Sequence, residues 1–245
     1  MIPFLKIRLV LGAFALSPLA LVALPVPAAA QQSDAAYQDL FNAIDEGVDH
    51  EVALDSTMKV VRREYAAIPV IAQVDQMSPG LIDEIVKEMR PIFRDYQARV
   101  RDKYRPQMVG LFARNLTTSE AQDIAAFYRS ELGRRILGGV SRNYSPDATL
   151  ENVQELDGQS EDEVRDNVAS DIGNATQATI SELSQDDLVA MGRLAMEKPA
   201  LLKLGQINPQ MIALRAQMEQ EQPTPDEAAL IEAVIQAVFK RRLGE

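Results

Sequence analysis

The polar residues best suited to chemistry lie in one short run, Asp45-Glu46-Gly47-Val48-Asp49-His50-Glu51. If this run is helical, Glu46 and His50 are i, i+4 neighbours, and so are Asp45 and Asp49. Two carboxylate oxygens and one imidazole are ligands that a divalent cation accepts. Structural metal sites usually have four ligands and a supporting outer shell, so the alternative is an acidic, solvent-facing side of a helix. We therefore predict no metal ligands here.

The rest of the chain offers little for catalysis. Its 245 residues include no Cys, no Trp and one His, so there is no thiol nucleophile and no disulfide framework. A serine hydrolase needs a His general base, and His50 is the one candidate. No G-x-S-x-G, P-loop or G-x-G-x-x-G motif is present, so we predict no catalytic residues and no cofactor.

The excess of acidic over basic residues bears on two further classes of function, nucleic-acid binding and glycan hydrolysis. With 36 acidic against 25 basic residues, the net charge of −11 argues against nucleic acid as a partner. Paired carboxylates acting on a cell-envelope glycan stay open, because 36 acidic residues always provide some pair at a suitable distance. Such an enzyme also needs one carboxyl group held protonated in an apolar pocket.

Residues 1–30 have the layout of an export signal. Lys6 and Arg8 precede an almost wholly apolar stretch over 9–24, and Ala28-Ala29-Ala30 supplies small residues for cleavage. We expect cleavage after Ala30 and a periplasmic or secreted protein, with no lipid anchor and no membrane span in the mature chain. The alternative, an uncleaved anchor, is disfavoured by prolines 18, 25 and 27. Removing two of the 25 basic residues leaves 23 against 36 acidic ones, a net charge of −13.

Apolar residues recur at helical spacing through residues 31–245, and no run alternates as a strand would. The sequence predicts an all-α, multi-helix bundle. Pro69 and Pro91 predict a helix end or kink, Gly138-Gly139 predicts a helix end, and the acidic run over 151–171 predicts a solvated face. The predicted helix starts are Ser78-Pro79, Pro106, Thr117, Ser184, Asn208-Pro209 and Thr224-Pro225, the last opening a C-terminal helix over 225–242.

Two of these helix starts are related by an offset of 67 residues. Leu116-Thr117 aligns with Leu183-Ser184, and Ser78-Pro79 aligns with Ser145-Pro146. A tandem duplication of a helical unit would produce this spacing, with a degenerate second copy over about 146–212. The alternative is chance reuse of capping residues.

The most specific stretch of the sequence is Leu116-Thr117-Thr118-Ser119-Glu120, followed by Phe127-Tyr128-Arg129-Ser130-Glu131-Leu132-Gly133. It resembles the bacterial domain of unknown function 2059, over about residues 80–145. Glu131 stands where that family usually has Pro, and Arg135 where it has Lys. The resemblance implies an exported, helical protein, and since the family has no assigned chemistry it offers no catalytic residues to carry over. The positions that match the family signature are Leu116, Thr117, Glu120, Phe127, Tyr128, Ser130 and Gly133.

These residue types suit a structural role. Thr117 and Glu120 form a capping box, Phe127 and Tyr128 are core anchors, and Gly133 permits a bend or a close helix approach.

Two hypotheses for function follow. The first is a non-catalytic interaction, scaffold or chaperone-like module that binds an envelope protein or component. The alternative is the carboxylate-dependent envelope hydrolase, so the sequence leaves open whether the protein is an enzyme.

Overall fold

The computed structural model describes the backbone of residues 28–150 and 160–244 and the side chains of 34–149 and 160–244. Residues 1–27 of the predicted signal and 151–159 of the acidic run lie outside the described residues. The prediction of an all-α bundle is confirmed, since these ranges contain helices and no strand. The helices are α1 (Ala28–Gly47), α2 (His50–Ala67), α3 (Pro69–Met77), α4 (Leu81–Asn115), α5 (Thr118–Arg129), α6 (Glu131–Asn143), α7 (Asp147–Leu150), α8 (Glu161–Glu182), α9 (Gln185–Glu197), α10 (Ala200–Glu219) and α11 (Pro225–Leu243).

Helix α4 is the longest, with 35 residues and a length of about 52 Å. It runs without interruption through Pro91 and Pro106, so the prediction that Pro106 begins a new helix is wrong. Both prolines face solvent, where water can satisfy the carbonyl group that loses its amide partner. Exposed Pro209 lies inside α10 for the same reason, so the predicted start at Asn208-Pro209 is also wrong.

Two other predicted boundaries are corrected. Ser78 ends α3, and α4 begins after Gly80, whose φ of 90° lies in the left-handed region that glycine adopts without strain. Gly138 and Gly139 do not end a helix but lie inside α6. A Cβ at Gly139 would come within 2.5 Å of Thr179, so the glycine permits close packing of α6 on α8. The break at Pro69 is confirmed, since it is the first residue of α3.

Two apolar cores form at opposite ends of α4. The α5 core lies at the C-terminal end and consists of Ala36, Tyr37, Leu40, Ala43, Phe112, Leu116, Ala121, Ile124, Ala125, Ala200 and Ile207. The α11 core lies at the N-terminal end and consists of Leu81, Ile82, Ile85, Met89 and Val238, with partly buried side chains of α2 and α3 packed against it. Residues 90–111 of α4, about 33 Å of helix, connect the two cores.

Helix α8 packs on α6, α7 and α10. Val164 and Val168 meet Ala216 in a small third core. Asp171 is buried and accepts hydrogen bonds from the amides of Ala148 and Thr149, both at 2.9 Å, and from the Thr149 hydroxyl at 2.6 Å. The interpretation of the acidic run as a solvated face is therefore wrong for Asp171, which ties α7 to α8.

The 67-residue offset recurs in helix ends and in contacts. Helix α4 ends at Asn115 and α8 at Glu182, and each is followed by a capping box. The contacts that join α4–α6 to α8–α10 follow this offset to within one residue. Glu120 of α5 pairs with Lys203 of α10 at 2.6 Å, while Asp187 of α9 pairs with Arg135 of α6 at 2.7 Å. Likewise, Asn115 of α4 contacts Gln210 of α10, and Glu182 of α8 contacts Asn143 of α6.

Candidate functional site

A solvent-open cleft of about 2730 Å³ surrounds the middle of α4. Its lining comes from α1, α2 and α3 and from α6, α8, α10 and α11, together with α4 itself. Lining residues such as Ile92, Val61 and Met218 are apolar and only partly buried, and they belong to none of the three cores. Pockets for small ligands usually measure about 300–1,000 Å³, so this cleft is much larger than a metabolite requires.

Ion pairs and hydrogen bonds help to fasten α2 to the middle of α4. Glu51, at the start of α2, accepts hydrogen bonds from Arg90 at 2.8 Å and from Arg94 at 2.9 Å. One turn further along, the side-chain amide of Gln97 donates to the Thr57 hydroxyl at 3.3 Å. These polar contacts hold α2 beside α4, in addition to the buried side chains Leu54, Met58 and Val60 of α2.

A second set of contacts fastens α4 to the turn between α10 and α11. The Tyr96 hydroxyl donates to the carbonyl oxygen of Glu221 at 2.5 Å, and burial raises the pKa of Tyr96. Arg99 forms a forked pair with Glu227, with both N–O distances at 2.8 Å, and Lys103 pairs with Glu221 at 2.7 Å. Charged and polar bridges thus hold this rim of the cleft.

A small polar group lies within the apolar lining. Arg215 of α10 pairs with Glu219 at 2.5 Å, and its guanidinium lies 6.0 Å from the centre of the Tyr144 ring. The Tyr144 hydroxyl is buried without a hydrogen-bond partner among the described residues, and burial raises the pKa of Tyr144 to about 12. The cleft therefore offers a polar anchor beside a long apolar surface.

The run Asp45–Glu51 does not form one helix. Helix α1 ends at Gly47, and Asp49 caps α2 by accepting a hydrogen bond from the Val52 amide, so Glu46 and His50 are not neighbours on one helical face. Instead, His50 Nε2 lies 3.1 Å from an Asp45 oxygen, and this hydrogen bond is the main cause that lowers the pKa of Asp45, with Arg101 assisting. Over residues 34–149 and 160–244, no three metal-ligating side chains converge.

The first half of the family motif caps and anchors α5. Thr117 accepts a hydrogen bond from the Glu120 amide while the Glu120 carboxylate accepts one from the Thr117 amide, so the predicted capping box is confirmed. Leu116 is buried in the α5 core, and its carbonyl oxygen accepts a hydrogen bond of 2.9 Å from the Tyr37 hydroxyl of α1. The motif thus attaches α5 to both α4 and α1.

The second half of the motif builds a sharp joint between α5 and α6. The Ser130 hydroxyl donates to the carbonyl oxygen of Phe127 at 2.6 Å and accepts from the Gly133 amide at 3.1 Å. Glu131, which replaces the usual Pro, is the first residue of α6, so the Ser130 cap makes the break without a proline. Tyr128 packs against the α5 core, and burial raises its pKa to about 12.

Residues 102–138 match the family model described as "Uncharacterized protein conserved in bacteria (DUF2059)". The match confirms the resemblance to DUF2059 found in the sequence. The match covers the end of α4, all of α5 and the Ser130 joint. It is shorter than the stretch 80–145 over which the sequence resembles the family, and it includes only some of the residues that line the cleft. No curated protein and no solved structure matches the chain. Within the described ranges, every helix is too short or too polar to cross a membrane.

The contacts of Asp187 with Ser184 and Arg135 predict that the stability of the protein depends on pH. Ser184 and then Arg135 lower the pKa of Asp187 below its ordinary value of 3.8. A carboxylate with a lowered folded pKa stabilises the fold fully above the ordinary pKa, and this stabilisation is lost as pH falls through the folded pKa. We expect Asp187→Asn to reduce the decline in the free energy of unfolding between about pH 4 and pH 2, measured by urea denaturation.

The matched control is Asp186→Asn, at an adjacent, exposed carboxylate without an ion pair in the described part of the chain. It should leave the acid dependence close to that of the original protein. If the two variants gave the same profile, the cap and ion pair of Asp187 would not stabilise the protein.

Proposed function

We propose that this chain is an exported, non-catalytic, chaperone-like protein whose cleft receives an apolar helical segment of another polypeptide. The basic, apolar and small-residue pattern of residues 1–30 supports export to the periplasm or the medium. The observation that carries the proposal is the apolar cleft of about 2730 Å³ around the middle of α4. The motif residues of DUF2059 serve this function indirectly, by stabilising the α5 core at one end of the cleft.

The size of the cleft favours a polypeptide over a metabolite. A helix with its side chains is a cylinder about 10–12 Å wide that rises 1.5 Å per residue, which is roughly 120–170 Å³ per residue. The cleft volume of about 2730 Å³ therefore exceeds that of several turns of helix. An amphipathic helix laid in a hydrophobic groove is a common mode of peptide recognition.

The charges around the cleft favour the same occupant. The rim groups carry both signs, as in Glu51 with Arg94 and Arg99 with Glu227, and the whole chain has a net charge of −11. An anionic lipid would meet net repulsion and no uniformly basic rim. A neutral or basic amphipathic helix meets neither obstacle.

The same charges disfavour the hydrolase hypothesis. A glycosidase needs one carboxyl group whose pKa is raised by an apolar pocket. Three carboxylates that line the cleft have lowered pKa values instead: His50 lowers that of Asp45, Arg94 that of Glu51, and Arg99 that of Glu227. Each stays charged at neutral pH and so cannot donate the proton that the reaction requires.

The absence of Trp from the chain provides a direct binding test. A synthetic, basic, amphipathic helical peptide of about 18 residues with one Trp on its apolar face supplies the whole tryptophan signal. We expect its emission to shift to the blue as full-length mature protein is added, with saturation at micromolar concentrations. Ile92→Glu and Met218→Glu, which place a charge in the cleft, should each weaken binding at least 10-fold, because a charge buried without a partner is costly.

The control is Met77→Glu, at an apolar residue that is 68% exposed and lies outside the cleft. It should bind the peptide like the original protein. The proposal is wrong if the peptide gives no saturable shift, or if the cleft variants and Met77→Glu bind equally well. Equal competition by a free fatty acid would assign the cleft to acyl chains and would also overturn the proposal.

A further inference from the structure

We propose that the segment in the cleft carries an aspartate or glutamate whose carboxylate binds to Arg101 and Arg105 of α4, the arginine pair. This inference rests on the proposed function and adds to it the chemistry that the cleft selects. The two arginines are i, i+4 neighbours on one face of α4, and both line the cleft.

The arginine pair differs from the other arginines that line the cleft. Four arginines of the described residues do so, and two of them already have a close carboxylate partner. Arg94 pairs with Glu51 at 2.9 Å, and Arg215 pairs with Glu219 at 2.5 Å. No described carboxylate contacts either member of the arginine pair at such a distance. The cleft therefore contains two guanidinium groups with donors left for a ligand.

Arg105 has only neutral partners among the described residues. Its guanidinium donates to the side-chain oxygen of Asn42 and lies 4.8 Å from the centre of the Phe41 ring. A guanidinium has five N–H donors in a planar fork, and this fork fits both oxygens of a carboxylate. Because Arg105 is partly buried, its charge is only partly hydrated, and a carboxylate from the bound segment would compensate that loss.

Arg101 has charged neighbours, but its contacts with them are long. Its Nε lies 3.7 Å from a carboxylate oxygen of Asp45 and 3.7 Å from one of Asp102, and its Nη1 lies 3.4 Å from Nε2 of His50. Hydrogen bonds between a guanidinium and a carboxylate usually measure about 2.7–2.9 Å. Asp102 is 68% exposed and does not line the cleft, so water screens its charge.

The charge around the arginine pair matches one carboxylate. The hydrogen bond with His50 is the main cause that lowers the pKa of Asp45, and the charges of both arginines lower it further. Asp45 therefore stays ionised at neutral pH and balances one of the two positive charges of the pair. The positive charge that remains suits a carboxylate, whereas a phosphate monoester, with about −1.5 to −2 charges, would exceed it.

The surroundings of the arginine pair make the interaction selective. Phe41, Ile44 and Met108 line the same part of the cleft and also pack against the α5 core. A carboxylate placed among these apolar side chains loses water, so its attraction to the arginines is stronger than in solution. A segment with a neutral residue at this position lacks that attraction. The arginine pair thus selects apolar segments that carry an acid at one defined position.

The test uses three forms of the Trp-containing helical peptide, each amidated at its C-terminus and each with a net positive charge. The first has Glu in the first turn of its apolar face, the second has Glu in the last turn, and the third has Gln at both positions. We expect one Glu form to bind the full-length mature protein about 10-fold more tightly than the Gln form, as one charged hydrogen-bonded pair provides.

Variants of the protein locate the origin of this preference. Arg101→Gln and Arg105→Gln should each reduce it to about 3-fold or less, and the double variant should abolish it. The matched control is Arg94→Gln, on the same helix and in the same cleft. It should keep the full preference, because Arg94 already pairs with Glu51 and Arg90 still binds Glu51 at 2.8 Å.

Asp45→Asn should change binding in the opposite direction. It removes the one carboxylate of the cleft lining that contacts the arginine pair among the described residues, so the preferred Glu form should bind about 3-fold more tightly. The Gln form should bind as it does to the original protein. A gain limited to the Glu form cannot result from a damaged fold.

The outcomes separate this inference from the proposed function. If the Glu and Gln forms bind equally well, the inference is wrong and the proposed function stands. If no form gives a saturable shift of the Trp emission, the proposed function is wrong. A Glu preference that persists in the double arginine variant would place the carboxylate elsewhere and overturn the inference. Displacement of the Glu form by dodecanoate, lost in the double variant, would assign the arginine pair to a fatty acid and overturn both.

Discussion

Replacing Gly133 with Ala will destabilise the protein by about 3 kcal/mol, the upper range for overpacking a tight site. A Cβ at Gly133 would lie 2.1 Å from the Phe127 carbonyl oxygen and 2.7 Å from Tyr128 Cα. Both are backbone atoms, so a rotamer change cannot relieve the clash. The joint between α5 and α6 must open, and the two hydrogen bonds of Ser130 weaken with it. For a chain of this size, the melting temperature should fall by roughly 6–12 °C.

The matched control for this variant is Gly173→Ala in α8. A Cβ at Gly173 would meet nothing within 4 Å, and the residue lies within a helix. Since Ala is the better helix former, this variant should be more stable by about 0.5–1 kcal/mol. Equal melting temperatures for the two variants would contradict the geometry of the Ser130 joint.

Replacing Phe112 with Ala will destabilise the protein by about 3–5 kcal/mol, measured by urea denaturation. The Phe112 side chain is 0% exposed at the centre of the α5 core, between α4 and the helices α1, α5 and α10. Removing its ring leaves a cavity that helices anchored by capping boxes and ion pairs cannot close. The loss should appear as a lower midpoint with an unchanged slope of the denaturation curve.

Phe93→Ala provides the comparison within the same helix. Phe93 is only partly buried, at the edge of the α11 core, so water can enter the space that its ring leaves. We expect a loss of about 1–2 kcal/mol, less than for a fully buried ring. A loss as large as that of Phe112→Ala would mean that the middle of α4 is closed from solvent.

Local sequence patterns predicted much of the fold. The helix starts predicted at Thr117, Ser184 and Thr224 are confirmed, and each is a capping box, which depends on residues three positions apart. The helix starts predicted at Pro106 and Pro209 were wrong. A helix continues through a proline that faces solvent, and tertiary packing decides which side of a helix faces solvent. The sequence analysis did not predict the helix boundary at Ser130. The signal for it was a Ser, a common N-cap residue, three residues before Gly133.

The cleft could not be predicted from the sequence. Helical spacing predicts that Ile92 and Met218 are core residues of amphipathic helices. In the structure both are only partly buried and line the open cleft. The difference lies in what faces them across the fold, which is set by pairs such as Arg99–Glu227 that are 128 residues apart. The Asp45–Glu51 run illustrates the same limit, since Asp45 and His50 meet across the break between two helices.

Helix α4 contributes residues to both cores and therefore couples their unfolding. Neither the α5 core nor the α11 core can come apart while α4 keeps its packing, so the two ends of the molecule should unfold in one cooperative step. In native-state hydrogen exchange, amides near Ile85 and near Phe112 should therefore exchange at the same slow rate, although roughly 40 Å of helix separates them. A bound segment lying along α4 between them would protect both ends equally.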